Sequence, residues 1–188
     1  MKIKHALKKT WNFIWNEDSV ASWLVNVILA FVLVKFIIYP GLGLLLGTHY
    51  PVVAVVSGSM EHDGNFENWW QSHKEFYDKI GINKEEFTNY PFSNGFNKGD
   101  LMILYKATTL HKGDVIVFQG EPQDPIIHRI VKTHPYQTKG DHNTDSRRDE
   151  TAITQERILG KAIFRIPYLG WFKLGFVYLL SWLGLMKF

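Results

Sequence analysis

The 188-residue chain contains no cysteine. That excludes disulfides, thiolate nucleophiles and cysteine-ligated zinc or iron–sulfur centres, so covalent chemistry would fall to a hydroxyl, an amine or a carboxylate. Metal-ligand spacing is also missing: His62, Asp63, His73 and His142 form no HExxH-type pattern, and no metal or other cofactor is expected. Neither an internal repeat nor a low-complexity linker interrupts the chain, and its length suits one folded domain rather than a multidomain enzyme. The net charge is only +3, and Lys2, Lys4, Lys8 and Lys9 more than account for it. The middle of the chain mixes both signs and carries no basic patch with interleaved aromatics, which argues against a nucleic-acid partner.

Aromatic residues, at 15%, are too abundant for a disordered chain, and the apolar residues gather at the two ends. From Val20 the sequence runs VASWLVNVILAFVLVKFIIYPGLGLLLG, apolar except for Asn26 and Lys35. As a helix, Val20 to Tyr39 covers about 30 Å, the thickness of a bilayer core. The run exceeds the roughly 7 to 15 apolar residues of a cleavable signal peptide. It therefore reads as a retained anchor over residues 20–47, with a buried core helix as the alternative. Lys35 lies near the far end of the span, where its stem can snorkel beside Phe36 and Tyr39. The lysines before the span predict that residues 1–19 form a basic cytoplasmic tail of a membrane protein and that residues 48–165 lie outside the cytoplasm. The apolar stretch 166–188, with Lys173 inside it and Lys187 near its end, predicts a second helix that either returns through the membrane or lies in its interface.

Between these ends the period changes. Val52–Val56, Leu101–Lys106, Val115–Gln119, Ile126–Thr133 and Ala162–Ile166 are short β-branched runs that predict strands, and hence a small, mostly β domain. Gly99-Asp100 and Gly113-Asp114 stand just before two of them, as turn residues should. Within the segment 61–98, Phe66, Trp69, Trp70, His73, Phe76, Tyr77 and Ile80 recur at steps of three and four. That spacing predicts an inserted amphipathic helix, either packed on the sheet by its aromatic stripe or serving as a lid or membrane-contacting flap.

Three features bear on chemistry. Ser57-Gly58-Ser59-Met60 follows an apolar strand directly, which places a hydroxyl where the backbone turns; alone, this is also what a polar turn looks like. His128 sits in IIHRIV, flanked by β-branched residues on a predicted strand, with Arg129 facing the other way. The turn KGDHNTDSR supplies Asp141 and Asp145, two carboxylates able to orient an imidazole or merely to solvate a hairpin loop.

In this order, an amino-terminal anchor, SGSM after an apolar strand, Gly-Asp before the next strand, His-Arg on a strand and a Gly-Asp loop, the chain resembles the type I signal peptidases over most of its length. It is more similar to their archaeal and endoplasmic-reticulum branch, because IIHRIV carries histidine where the bacterial enzymes have lysine. The resemblance implies a small β-barrel-like catalytic domain and a membrane-anchored serine endopeptidase that cleaves signal peptides from preproteins after small residues. Ser59 would be the nucleophile and His128 the general base. Asp145 would orient the imidazole, with Asp141 structural or assisting, and Ser57 with the Ser59 amide would form the oxyanion hole. Met60 and the Val52–Val56 strand would wall small substrate pockets. Implied partners are preprotein signal peptides, the lipid bilayer, and translocon or accessory subunits. A non-catalytic anchored binding protein of the same fold, or an anchored protease acting on other surface-protein precursors, are the alternatives. Three departures from the family pattern stand in the sequence: the close spacing of Asp141 and Asp145, His62 where many members have proline, and the insertion 61–98.

Overall fold

The computed structural model describes residues 2–121 and 124–182. The chain divides after Leu45 into two compact units.

The first unit is helical. Helix α1, Lys2–Trp15, occupies most of what reads in the sequence as a plain basic tail. Helix α2, Val20–Leu33, starts on Ser19, whose side chain accepts a hydrogen bond from Ser22 N as an N-cap. A π-helical turn, Val34–Ile38, joins α2 to helix α3, Tyr39–Leu46. The wide turn falls immediately before Pro40, which lacks the N–H that a regular helix would need there. Tyr39 N donates instead to Val34 O, five residues back. Val20–Leu46 thus forms 27 continuous helical residues, among the described residues the one helix long and apolar enough to cross a membrane.

The second unit is built on an antiparallel sheet of six strands: β1 Val52–Ala54, β2 Leu101–Tyr105, β3 Val115–Gln119, β4 Pro125–Thr133, β5 Tyr136–Lys139 and β6 Ile158–Ile166. Their spatial order is β1-β2-β6-β3-β4-β5. The two end strands do not pair, so the sheet is open, and the barrel-like closure implied by the family resemblance is not seen. The ends are short: β1 has three residues before the chain turns away, and β5 has four, with a single bridge from Tyr136 to Ile153 on its outer side. Strand β3 lies inside the sheet and feeds both faces: Val115 and Val117 join Met60, Phe96, Met102 and Leu104, while Ile116 and Phe118 join Leu110, Ile130 and Ile153. That double burial explains its apolar run from Val115 to Phe118.

The Gly-Asp turns form as expected. Gly99 (φ +90°) and Gly113 (φ +92°) take the left-handed backbone that glycine tolerates, and Asp100 and Asp114 accept hydrogen bonds from Asn97 N and His111 N. The insertion holds helix α4, Phe66–Lys79, capped by Asn65, and the short helix α5, Lys84–Thr88. Trp69, Trp70, Tyr77, Ile82 and Phe87 form an aromatic core that includes Val131 of β4. The amphipathic stripe is thus packed on the sheet, the first of its two expected roles. Helix α6, Trp171–Trp182, is seated by Leu174 and by the Trp171 indole against Gly99. The rest of the carboxyl-terminal apolar segment, 183–188 with Lys187, lies outside the described residues.

Candidate active site

The chain leaves β1 through Val55, which is paired with the Gly99–Asp100 turn: Val55 N donates to Asp100 O, and Gly99 N donates to Val55 O. It then bends sharply, Glu61 N donating to Gly58 O at 3.0 Å. Met60 anchors the bend. Its side chain is fully buried in the core, its carbonyl accepts from Phe96 N, and its sulfur lies 3.4 Å from Asp141 N. The expectation that Met60 walls a substrate pocket is corrected accordingly, because an apolar side chain at this bend gains more from the core than from solvent. With Met60 fixed below, Ser59 is held at the half-buried crest and Ser57 is exposed beside it, their hydroxyl oxygens 3.2 Å apart.

His128, on β4 opposite Ile116 of β3, is buried, and its Nε2 lies 2.9 Å from Ser59 Oγ. Its other nitrogen, Nδ1, donates to a carboxylate, and that carboxylate belongs to Glu150. Glu150 is fully buried in a single 3₁₀ turn, Arg148–Glu150. Its Oε1 also accepts from Thr138 Oγ1 at 3.1 Å, and its Oε2 accepts from Arg147 N at 2.7 Å. Asp145 therefore does not hold the imidazole, the place the family resemblance gives it, and Asp141, given a structural or assisting place, is bound to Arg129. Asp145 is exposed and accepts from its neighbour Ser146 N. The visible sign in the sequence was the close spacing of Asp141 and Asp145; the orienting carboxylate lies one turn further on.

Asp141 is fully buried and serves as the hub beneath the site. Arg129 grips it with two hydrogen bonds, Nε to Oδ1 at 2.9 Å and Nη2 to Oδ2 at 2.7 Å, while His62 Nε2 lies 3.1 Å from Oδ2 and Tyr77 Oη 3.3 Å from Oδ1. Burial by itself would raise the Asp141 pKa, but the guanidinium and these donors hold it well below the usual carboxylate range. Arg129, also fully buried, spends its remaining donors on the carbonyls of Pro91, Phe92 and Gly113. The insertion and β4 are thereby tied to one carboxylate. Lys139, beside it, donates to the carbonyls of Gly140 and Asp141, and burial pushes its pKa down to about 8 against the pull of Asp141 and Glu150.

The Gly140–His142 segment crosses the Ser57–Met60 bend. His142 N donates to Ser59 O at 2.9 Å. A Cβ on Gly140 would stand 2.7 Å from His128 Nε2, from Ser59 O and from Asn143 Nδ2, so only glycine fits behind the serine–histidine pair. The insertion presses on the same segment from outside, with Trp69 Nε1 donating to Asp141 O at 3.1 Å.

Ser57, Ser59 and His128 open onto a cleft of about 360 Å³. Its walls are Val53, Ala54 and Val56 on one side and Ile126 and Ile127 on the other, with Asn143 and Arg147 at the rim. Both walls present free backbone. Among the described residues, strand β1 pairs only with β2, and the first half of β4, up to His128, pairs with β3 but not with β5. A hydroxyl against an imidazole, an imidazole against a buried carboxylate, and a second hydroxyl next to the first together can activate an oxygen nucleophile and stabilise an oxyanion.

No protein-family profile matches the chain. Individual proteins do. The signal peptidase complex catalytic subunit SEC11 of Plasmodium falciparum is 28% identical over 177 residues, covering 87% of this chain and 77% of that protein. The human signal peptidase complex catalytic subunit SEC11C is 28% identical over 148 residues, 71% of this chain. This chain spans about 60% of the human protein's length. SEC11 of the yeast Lachancea thermotolerans is 26% identical over 152 residues, 72% of this chain and 71% of that protein. All three organisms are eukaryotes, so the archaeal side of the family resemblance draws no support from them. A chain that brings serine, histidine and a carboxylate together beside an apolar cleft is thus similar, over most of its length, to signal peptidase complex catalytic subunits.

Proposed function

We propose that this chain is a membrane-anchored serine endopeptidase that removes signal peptides from translocated preproteins. The observation that carries the reading is the contact chain Ser59–His128–Glu150 at the mouth of the cleft. Ser59 Oγ attacks the scissile carbonyl while His128 Nε2 takes its proton. Glu150 keeps the imidazole proton on Nδ1 and stabilises the imidazolium that forms. The Ser59 amide and the Ser57 hydroxyl hold the oxyanion, and one such donor is worth about 10² to 10³ in rate. His128 then protonates the leaving amine, and water releases the acyl group from Ser59 by the same route in reverse. No step calls for a cofactor.

The substrate enters as an extended strand between the open edges of β1 and the first half of β4, main chain to main chain. Val53, Ala54, Val56, Ile126 and Ile127 leave room for small side chains before the cut. The Val20–Leu46 helix anchors the enzyme where the apolar part of a signal peptide resides, with the amino-terminal side in the cytoplasm and the catalytic unit on the far side. Accessory subunits are expected from the names of the relatives, which are subunits of a complex.

The test is cleavage of a set of secretory precursors whose residues before the cut are enlarged one at a time, with each product's new amino terminus sequenced. Cleavage confined to small residues at the first and third positions before the cut supports the reading. Equal cutting beside bulky residues would exclude this cleft as the binding site.

A further inference from the structure

Helix α1 is more than a charged tail. Ile3, Leu7, Trp11 and Trp15 recur every four residues along it, and each is more than 60% exposed. The Trp11 and Trp15 rings lie 5.6 Å apart, forming one aromatic ledge. Lys4, Lys8 and Lys9 are exposed; Lys4 and Lys8, three residues before Leu7 and Trp11, flank this stripe, and Lys9 lies on the side away from it. An apolar stripe with tryptophans, next to a lysine-rich face, is the pattern of a helix lying in a membrane interface.

How α1 is fastened argues the same. Its last turn ends in carbonyls that no residue of α1 itself can satisfy. Two of them are capped from α2: Ser22 Oγ donates to Phe13 O at 2.6 Å, and Asn26 Nδ2 donates to Ile14 O at 2.8 Å. Asn26 is the polar residue that interrupts the apolar run of α2, and this bond gives it its role. It lies six residues beyond Val20, about 9 Å along the helix at 1.5 Å per residue. The end of α1 is thereby pinned beside α2 at a depth matching the roughly 5 to 10 Å at which interfacial helices sit. Protein donors for those carbonyls are what a site with little water demands.

We propose that α1 is a membrane-surface helix that lays the Ile3–Leu7–Trp11–Trp15 stripe into the lipid interface and places Lys4, Lys8 and Lys9 on anionic lipid headgroups. The proposal rests on the Val20–Leu46 helix being a membrane span, and its test separates the two. Because the chain has no cysteine, a spin label can be attached at one introduced site at a time in the full-length protein: Leu7→Cys, His5→Cys on the opposite side of α1, and Val27→Cys in the span. The variants are placed in vesicles of phosphatidylcholine alone or with one third phosphatidylserine, and collisions with oxygen and with a water-soluble nickel chelate are compared. The expected result is lipid contact at position 27 in every vesicle. Position 7 should be in lipid and position 5 in water when phosphatidylserine is present, with position 7 released by high salt. At about fivefold per lysine near an anionic surface, Lys4→Gln, Lys8→Gln and Lys9→Gln together should lower the docked-to-free ratio at position 7 on the order of a hundredfold. Equal water exposure at positions 5 and 7 would overturn the surface helix while leaving the anchor intact. Docking indifferent to phosphatidylserine and salt would overturn the headgroup contact. Water at position 27 would overturn the anchor and this proposal with it.

Discussion

Replacing Glu150 by glutamine exchanges one carboxylate oxygen for an NH₂ group and should remove most of the activity. The carboxylate receives three donors: His128 Nδ1 and Thr138 Oγ1 on Oε1, and Arg147 N on Oε2. A glutamine has one acceptor oxygen and one NH₂ group for these two places. If the NH₂ faces Arg147 N, two buried donors oppose each other, at a cost of about 1 to 3 kcal/mol. The glutamine will therefore turn its oxygen to Arg147 and its NH₂ to the imidazole. Nδ1 must then be the acceptor, the ring proton moves to Nε2, and His128 can no longer take the proton of Ser59. A wrong tautomer at such a triad lowers turnover by on the order of 10⁴. Asp145→Asn serves as the control, because the hydrogen bond it accepts from Ser146 N survives on the amide oxygen. The assay is cleavage of a radiolabelled precursor by wild type, Glu150→Gln and Asp145→Asn in liposomes at saturating substrate. Glu150→Gln should fall at least about 10³-fold and Asp145→Asn should stay within about twofold. The opposite ranking would refute this account of the histidine's partner.

Further outcomes follow from the scaffold below the site. Gly140→Ala puts a Cβ 2.7 Å from His128 Nε2 and from the Ser59 carbonyl, so turnover should drop about 10² through misplacement of the pair with KM little changed, as steady-state kinetics would report. Asp141→Asn leaves the buried Arg129 charge uncompensated and should cost about 3 to 5 kcal/mol of stability, read as a lower unfolding midpoint in detergent. Trp69→Phe removes one donor to Asp141 O, which keeps Lys139 as partner, so the loss should be only about 1 kcal/mol in the same measurement. For Lys139 the folded chain holds its proton less tightly than the unfolded chain does, with a pKa of about 8 against 10.5. Between those values the unfolded state binds more protons, so stability should rise with pH across this window, and Lys139→Met should flatten the rise when midpoints are recorded from pH 7 to 10.

The parts legible in the sequence are those governed by local rules. Strand β3 is apolar from Val115 to Phe118 because both its faces are covered there, and the Gly-Asp pairs at 99–100 and 113–114 announce their turns through glycine backbone freedom and aspartate capping. The four-residue and three-residue steps of the insertion announce α4, whose stripe had to meet something apolar. Ser59 and His128 are readable as candidates because each sits in a short motif, although their 2.9 Å contact joins residues 69 positions apart. What stays hidden depends on the path of the chain. Glu150 reaches His128 only because the loop after Asp141 closes in a 3₁₀ turn that carries it back, and its own neighbours look like an exposed acidic pair. Asp141 is drawn away from the imidazole by Arg129, an ion pair between two residues that read as a strand position and a loop position. Met60 sits three residues from the exposed Ser57 yet plugs the core, and nothing local tells which way a turn residue will face. Asn26 looks like a flaw in an apolar span until the carbonyl of Ile14 is placed beside it.

The central claim is that Ser59 of this chain cuts signal peptides. The most direct measurement incubates a secretory precursor with the reconstituted wild-type chain and with Ser59→Ala, each confirmed as folded by its melting profile, and sequences the new amino termini. The account predicts one cut after a small residue by the wild type and none by Ser59→Ala. Equal cleavage by the two proteins would contradict it.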